Sequence, residues 1–334
     1  MKKIKINKLR LVDLLAMVLC AAFMLSGCTN NTKMGYIDKN GNTVVQGVFQ
    51  MVQPFHEGVA GIMLGQEEQT YWGFVDAQSK AQIGLTMDAV RPFYDGVAPV
   101  KKKGENYWIY IDKTGNQAIE GQFADASVFV HGLAPVKGMD SGKYGFIDRQ
   151  GNLVIDYQYD TASIFSETDK LAMIREGGEA LGRCGYVDMT GNIVIEPTYF
   201  YSGTFNEGFA VVKLSSDMNA ADWGMIDTNG EVVLGGDFVE CGNFAEGLFP
   251  VAVSKDGKTL WGFMDGKGNW AIEPKFSSAL SFSEGLAGAQ SAENSLWGYI
   301  DNTGAWVLEP VYEGVSDFSE GLAGVHGGNL VVAQ

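Results

Sequence analysis

LWGYIDNTG, residues 296–304, sets a glycine beside the largest side chain and closes on an aspartate and a turn. The arrangement recurs along the chain as MGYID ending at Asp38, WGFVD at Asp76, WIYID at Asp112, YGFID at Asp148, CGYVD at Asp188, WGMID at Asp227, WGFMD at Asp265 and WGYID at Asp301. Successive aspartates lie 38, 36, 36, 40, 39, 38 and 36 residues apart. A fixed period in this range is the signature of a repeat architecture, in which no unit buries its apolar surface alone.

A second signature is interleaved with the first. It reads PFHEGVAGI from Pro54, PFYDGVAPV from Pro92, VFVHGLAPV from Val128, TFNEGFAVV from Thr204, NFAEGLFPV from Asn243, SFSEGLAGA from Ser281 and DFSEGLAGV from Asp317. The fourth copy, IFSETDKLAMI from Ile164, carries extra residues where the glycine should stand. Each unit thus contains four strand candidates: a segment leading into the Phe, the Gly-Leu-Ala-x-Val run, the Trp-Gly-aromatic-Ile-Asp run, and a run such as NIVIEP from Asn192. Short lengths, aromatic and β-branched enrichment and Gly or Pro punctuation favour strand over helix, so the expected fold is all-β.

The Asp-x-x-Gly pieces, such as DKNG from Asp38, DKTG from Asp112 and DTNG from Asp227, account for the turns. Asp accepts hydrogen bonds from amides just ahead of it, and Gly takes the left-handed conformation of a bulged hairpin turn. DAQS from Asp76 lacks the glycine, which predicts a strained or different turn. These loops hold too few carboxylates for calcium.

In WGYID the Trp and Tyr share one face while Gly and Ile share the other, so the strand is apolar on both sides and expects sheets stacked on both. The glycine is expected to make room for a bulky residue of the neighbouring sheet. Ile109 replaces it in the third copy, predicting a shifted contact there. The recurring motif residues are Trp72, Gly73 and Asp76, Trp223, Gly224 and Asp227, Trp261, Gly262 and Asp265, and Trp297, Gly298 and Asp301. Over roughly residues 34 to 326 the arrangement resembles the WG-repeat (KWG-repeat) family of bacterial proteins, with the tryptophan also at Trp108 and replaced by Met34, Tyr144 and Cys184. That resemblance implies a repeat fold and no particular activity.

Stacked four-stranded units either close into a propeller or continue as a solenoid. The chain enters its first Gly-Tyr-Ile-Asp strand without the two strands that precede it elsewhere, and the C-terminal end supplies that pair as a surplus. Joining the ends completes an eighth unit, so an eight-bladed β-propeller-like ring over residues 34–334 is expected. An open β-hairpin solenoid is the alternative, with the tail NLVVAQ folding back on GLAGV as a cap.

The N-terminus reads as an address. MKKIKINKLR is basic, LLAMVLCAAFML is an apolar run too short to span a bilayer comfortably, and together they form a signal peptide over residues 1–27. Leu25-Ser26-Gly27-Cys28 resembles the lipobox of bacterial lipoproteins. The resemblance implies a diacylglycerol on the Cys28 thiol, cleavage before it and an acylated amino terminus, with palmitate among the chains expected. Asp13, at the front of the apolar run, departs mildly from an export signal. Residues 28–33 would then be a lipidated tether, placing the rest at the membrane outside the cytoplasm. Of the other cysteines, Cys20 leaves with the peptide, while Cys184, at a tryptophan position, and Cys241, in a different strand of a later repeat, are read as small core residues, not a disulfide.

The chain carries a formal charge of −16, and cleavage removes five cations and one carboxylate to give −20. Such a surface repels phosphate backbones, so nucleic acid is not an expected partner. His56, His131 and His326 all fall near the Phe-x-Glu-Gly turn in sequence, but without metal-ligand spacing. No nucleophile elbow, phosphate loop or zinc-protease motif occurs. Glu57, Asp95, Glu207, Glu246, Glu284 and Glu320 would gather on one rim of a ring, where carboxylates bind cations or act as glycosidase acids. Identity at one place in every unit instead argues for a turn requirement. Trp270, Trp306 and Tyr201 are possible ligand platforms, and core packing accounts for each singly. The expectation is a non-enzymatic, cofactor-free envelope lipoprotein presenting its surface to a protein, peptide or glycan. An envelope glycan hydrolase is the alternative, and a mere spacer a third.

Overall fold

The computed structural model describes residues 33–330 except 67–68, 179–181, 216, 218–219 and 329. The expected signal peptide, Cys28 and nearly all of the expected tether lie outside the described residues. Every regular element among the described residues is a β-strand. The strands form eight antiparallel four-stranded blades, which we number from the first complete unit. Blade 1 runs Met51–Val52, Val59–Gln66, Gln69–Asp76 and the first part of Ala81–Val90. The end of Ala81–Val90 opens blade 2, and Trp270–Ser283 joins blades 6 and 7 in the same way, so each of these two blade pairs is one seven-stranded sheet. Blade 8 is shared by the chain ends: Gly314–Val315, Leu322–His326, Met34–Asp38 and Thr43–Phe49, in that order.

Ring closure follows from this eighth blade. Met34–Asp38 pairs along its whole length with Leu322–His326, from Met34 opposite His326 to Asp38 opposite Leu322. Both edges of Leu322–His326 are therefore occupied, by Met34–Asp38 and by Gly314–Val315. Leu322–His326 thus has no free edge for the hairpin cap of the open alternative, and the tail beyond Leu330 lies outside the described residues. Leu330 instead offers its carbonyl to the Gly47 amide at 3.5 Å, on the outer strand. The open solenoid is excluded too, because the blades touch cyclically.

Eight apolar clusters fill the eight blade-to-blade interfaces. Between blades 8 and 1, for example, Met34, Tyr36 and Phe49 meet Val52, Phe55, Ala60, Ile62 and Val75. The third-strand aromatic of one blade packs on the first-segment phenylalanine of the next: Tyr36 on Phe55 with centroids 4.7 Å apart, Phe74 on Phe93 at 4.9 Å, Tyr186 on Phe205 at 4.6 Å and Tyr299 on Phe318 at 4.7 Å. In blade 5 the aromatic is replaced by Met225, and Phe209 of the second strand supplies the ring against Phe244 at 4.9 Å. Where the third-strand residue is tyrosine its hydroxyl is also placed: Tyr36, Tyr110, Tyr186 and Tyr299 donate to the carbonyls of Gln53, Ser127, Gly203 and Ser316 in the following blade at 2.7, 2.7, 2.7 and 2.8 Å.

First segments stand nearest the ring axis, where neighbouring ones are close enough to bond directly, as Gln53 Nε2 does to Val90 O at 2.9 Å and Ser281 Oγ to Asn243 O at 2.8 Å. Fourth strands form the perimeter and leave Leu153, Val154, Ile193, Val194, Val307 and Val311 exposed.

The glycine after the tryptophan has a different cause from the one expected. The residue it must clear is not a side chain of the next blade but the backbone of its own blade's fourth strand. Trp72 faces Met87 and Phe74 faces Ile83, so two steps on the third strand meet four on its partner and a bulge stands opposite the glycine. A Cβ on Gly73 would lie 2.7 Å from Ile83 O, and one on Gly224 2.7 Å from Leu234 O. In three units proline sits inside the bulge, and a Cβ on Gly262 or Gly298 would lie 2.7 or 2.8 Å from the nitrogen of Pro274 or Pro310. Proline is at home there because a bulge residue owes no ladder bond. In the third copy, Ile109 keeps its Cβ because the facing bulge contains Gly121 at φ 125°, a conformation that reshapes it. Its side chain then fills the interface toward blade 1, alongside Val90 and Val100.

Asp-x-x-Gly turns close as expected. Asp38 Oδ1 accepts the amides of Asn40 and Asn42 at 2.9 and 2.8 Å. In DAQS, Ser79 takes the glycine's place at φ 62° with the same bond to Asp76 O, so the turn is kept and strained. Cys184 is buried, Cys241 is half-buried, and both are free thiols.

Alanine substitutions separate these roles. Gly262→Ala is expected to lower unfolding stability by about 1–3 kcal/mol through overpacking against the bulge, and Gly121→Ala to destabilise through its positive φ. Gly84→Ala, where a Cβ meets nothing within 4 Å, should be neutral or slightly stabilising. Urea denaturation midpoints of the three variants check the order.

Candidate functional site

The Phe-x-Glu-Gly segment is a two-residue hairpin. His56 and Val59 exchange both backbone bonds, at 2.9 and 3.2 Å, across Glu57 at φ 51° and Gly58 at φ 79°. The equivalents Asp95, His131, Glu207, Glu246, Glu284 and Glu320 all sit at φ 50–54°. Two successive left-handed residues make a type I′ turn, whose first place suits Asn, Asp or Gly, and a longer side chain there is strained by about 1–3 kcal/mol. The turn therefore does not require glutamate, contrary to the sequence expectation; something else holds it there.

That something is the next blade. Glu57 accepts the Gly96 amide at 3.1 and 3.2 Å, Glu246 the Gly285 amide at 3.1 and 3.0 Å, and Glu284 the Gly321 amide at 3.0 Å. Glu207 takes two amides, of Glu246 and Gly247, at 2.8 and 2.9 Å. Glu320 closes the circle on Gly58 at 2.9 Å. Two lysines from Asp-x-x-Gly turns brace the relay, with Lys39 Nζ 3.1 Å from Glu284 and Lys113 Nζ 3.3 Å from Glu57. The carboxylates thus point sideways at their neighbours' amides, each already occupied.

The relay changes chemistry in blades 2 to 4. Asp95 is one methylene shorter than its equivalents, and the next turn presents His131, whose Nε2–H donates to Glu167 O at 3.0 Å. The extra residues of the fourth copy place Thr168 Oγ1 to accept the Glu207 amide at 2.9 Å. His56 stacks on Tyr94 at 3.6 Å, and burial, with Glu167 and Glu57 nearby, pushes the Tyr94 phenol up to about 12. His326 does not belong to this rim. It ends the second strand of blade 8 at the opposite face, 3.4 Å from Glu313.

That opposite face carries the connections between second and third strands, which differ in length from blade to blade. Blades 2 to 5 place cations over rings there: Arg91 over Trp108 at 4.7 Å, Arg175 and Arg183 over Phe200 at 5.9 and 5.4 Å, and Lys213 over Trp223 at 5.2 Å. Arg91 also pairs with Asp125 at 2.8 Å, which accepts the Tyr144 hydroxyl at 2.6 Å. Burial and Asp125 together hold the Tyr144 phenol well above its ordinary value. Lys213, buried, pairs with Asp222 at 2.8 Å. Arg175 Nε and Ser202 Oγ are buried without a partner, beside the position where Cys184 stands in place of a tryptophan.

The twelve motif residues are dealt out one set per blade and do not converge. Trp261 and Trp297 are buried and Trp72 and Trp223 half-buried, with Asp76, Asp227, Asp265 and Asp301 in the turns. The proposed platforms are in ring contacts: Trp306 on Phe276 at 5.5 Å and Tyr201 on Trp223 at 5.1 Å, while Trp270 leans on the core between blades 5 and 6. Among the described residues no three His, Cys, Asp or Glu side chains gather to hold a metal ion. Sequence reading missed Arg175, Phe200 and Arg183; the available signal was their departure from the unit consensus.

The family model of the WG containing repeat matches residues 34–66, 72–107, 108–140, 144–179, 185–216, 223–258, 261–292 and 297–325, and the chain belongs to that family. No protein among the curated sequences matches it. Among solved structures it is similar to a eukaryotic initiation factor, at TM-score 0.51 and 8% identity over 89% of this chain and 98% of that one. It is also similar to prolyl oligopeptidase B from Galerina marginata, at TM-score 0.52 and 12% identity over 77% of this chain and 49% of that one. A third similar structure is the β-propeller domain of the Trilobed protease from Pyrococcus furiosus, at TM-score 0.49 and 9% identity over 79% and 99%. At such identities the first two likenesses are of fold alone.

Glu246→Ala should cost about 0.5–1.5 kcal/mol by losing the clasp while keeping the strain, and Glu246→Gln, which still accepts, clearly less; thermal unfolding of both variants tests this. The turn aspartates give a pH dependence. Side-chain and backbone donors hold Asp112, Asp148, Asp265 and Asp301 below the usual carboxylate range. Their contribution is therefore present above about pH 4 and lost as pH falls through the depressed folded values. Asp265→Asn should flatten the loss of stability between pH 4 and 2.5, read from urea midpoints at each pH.

Proposed function

We propose that this WG-repeat protein is a non-enzymatic binding scaffold, held at the cell envelope by acyl chains on Cys28 and offering the face of its second-to-third-strand connections to a protein, peptide or glycan. One observation carries the choice of face. On the turn rim the recurring carboxylates and amides are spent on neighbouring blades. On the opposite face the units differ, and arginines lie over aromatic rings in blades 2 and 4. A ligand site must break the symmetry that folding imposes on the units, and arginine with aromatic rings is the combination enriched at binding hot spots. Support for the anchor comes from the basic stretch, the short apolar run and Leu25-Ser26-Gly27-Cys28.

Binding of the purified protein to glycan and peptide arrays should weaken by about tenfold or more in Phe200→Ala and Arg183→Ala and stay unchanged in Glu246→Ala. Equal loss in all three, or in none, removes the assignment of the face. Cys28→Ser should move the chain from the membrane pellet to the soluble fraction; an unmoved variant removes the anchor.

A further inference from the structure

The chain enters the ring on the face of the second-to-third-strand connections. Met34 opens the third strand of blade 8 opposite His326, which ends the second strand at that face, and Asp38 reaches the rim opposite Leu322. Lys33, exposed, therefore leaves the ring on the face away from the rim. It stands five residues beyond Cys28, and so short a stretch of chain spans at most about 18 Å. An acylated Cys28 thus holds the blade 8 edge of this face close to the headgroups, whichever way the rest of the ring turns.

Charge separates the two faces. The rim carries a carboxylate at Glu57, Asp95, Glu207, Glu246, Glu284 and Glu320, besides the aspartates that close the Asp-x-x-Gly turns. On the tether's face the connections of blades 2 and 6, which stand two blades from blade 8 on either side, are basic. Blade 2 presents Lys101, Lys102 and Lys103 with Glu105 between its second and third strands. Lys103 pairs with Asp88 at 3.0 Å, and Lys102 is exposed. In blade 6 the second and third strands run out to a hairpin tip, where Lys255 stands opposite Lys258 across Asp256 and Gly257 and both lysines are exposed. Glu67, Glu68 and Glu293, in the connections of blades 1 and 7, leave this face mixed in charge where the rim is predominantly acidic.

We propose that the ring rides with this face toward the bilayer and its rim outward, seated on anionic headgroups through Lys102, Lys255 and Lys258. The seat rests on the envelope anchor proposed above. A few exposed lysines on an acidic chain do not hold a membrane by themselves, but each is drawn to an anionic surface within a Debye length. The tether makes their contact an event within one anchored molecule, at the high effective concentration that a short linker gives. Turned over, the ring would press its carboxylates against like charge. Blade 4, across the ring from blade 8, takes no part in the seat, so Phe200 and Arg183 stay with the ligand.

The purified acylated chain, reconstituted on phosphatidylcholine vesicles with and without phosphatidylglycerol, tests the seat. A fluorophore is attached at Asn106→Cys in blade 2, Thr259→Cys in blade 6 or Asn302→Cys on the rim, all exposed places, and lipid with a nitroxide headgroup supplies the quencher. Unsubstituted protein corrects for label on the half-buried Cys241. With phosphatidylglycerol, quenching of the blade 2 and blade 6 labels should exceed that of the rim label by about threefold or more, and high salt or the combined Lys102→Glu, Lys255→Glu and Lys258→Glu variant should abolish the difference. Equal quenching at the three places, stronger quenching at the rim, or a difference indifferent to salt, phosphatidylglycerol and charge reversal overturns the seat and leaves the anchor standing. A chain that stays off the vesicles altogether overturns both.

Discussion

A third-strand ring laid against the phenylalanine of the following blade is the contact on which the rest of this molecule depends. Each pair brings burial and about 0.5–1.5 kcal/mol of aromatic geometry, but its larger effect is directional. The ring points out of one sheet and the phenylalanine belongs to the next, so a blade acquires its core only when its neighbour is in place. Eight such debts are settled only in a closed circle. The chain accordingly splits its last blade between its two ends, and Tyr299 on Phe318 and Tyr36 on Phe55 lie on either side of that seam at the same 4.7 Å. Blade 5 shows that the requirement is for a ring at the interface and not for a given residue, since Phe209 serves where Met225 cannot.

Two features follow from holding flat apolar sheets in so tight a circle. The fourth strand bulges opposite the glycine, which twists the outer edge and interrupts its row of backbone groups, as exposed strand edges need. At the rim, glutamates occupy a left-handed conformation that suits shorter residues, and the amides of the neighbouring turn keep them there. Strain in one blade is thus offset by a bond to another, so the rim is stable only as an assembled circle.

Function in such a molecule belongs to whatever the circle does not use. The rim carboxylates look like a site in the sequence and act as clasps in the fold. The arginine–aromatic stacks in blades 2 and 4, and the change from apolar to polar residues before the first-segment phenylalanine, are departures from the repeat. Asp317 is the sharpest case: its equivalents are proline, valine, isoleucine, threonine, asparagine and serine, and it alone puts a carboxylate at that place.

The sequence by itself determined the eight units, their four strands, the all-β class and the division of the eighth unit between the ends, because period, alternation and turn residues are local properties written in every copy. WGYID announced a strand buried on both faces, and DAQS announced a strained turn that Ser79 at φ 62° then shows. The reason for the glycine after tryptophan was decided only by tertiary structure: the obstacle is the backbone of a bulge that begins ten residues onward, and register is not visible in composition. So was the role of Glu57 and its equivalents, since an acceptor's partner lies one blade away and its cost lies in a backbone angle. Arg175, Phe200 and Asp317 escaped notice for the same physical cause. A departure from consensus acquires meaning only when folding shows which groups around it are already paired.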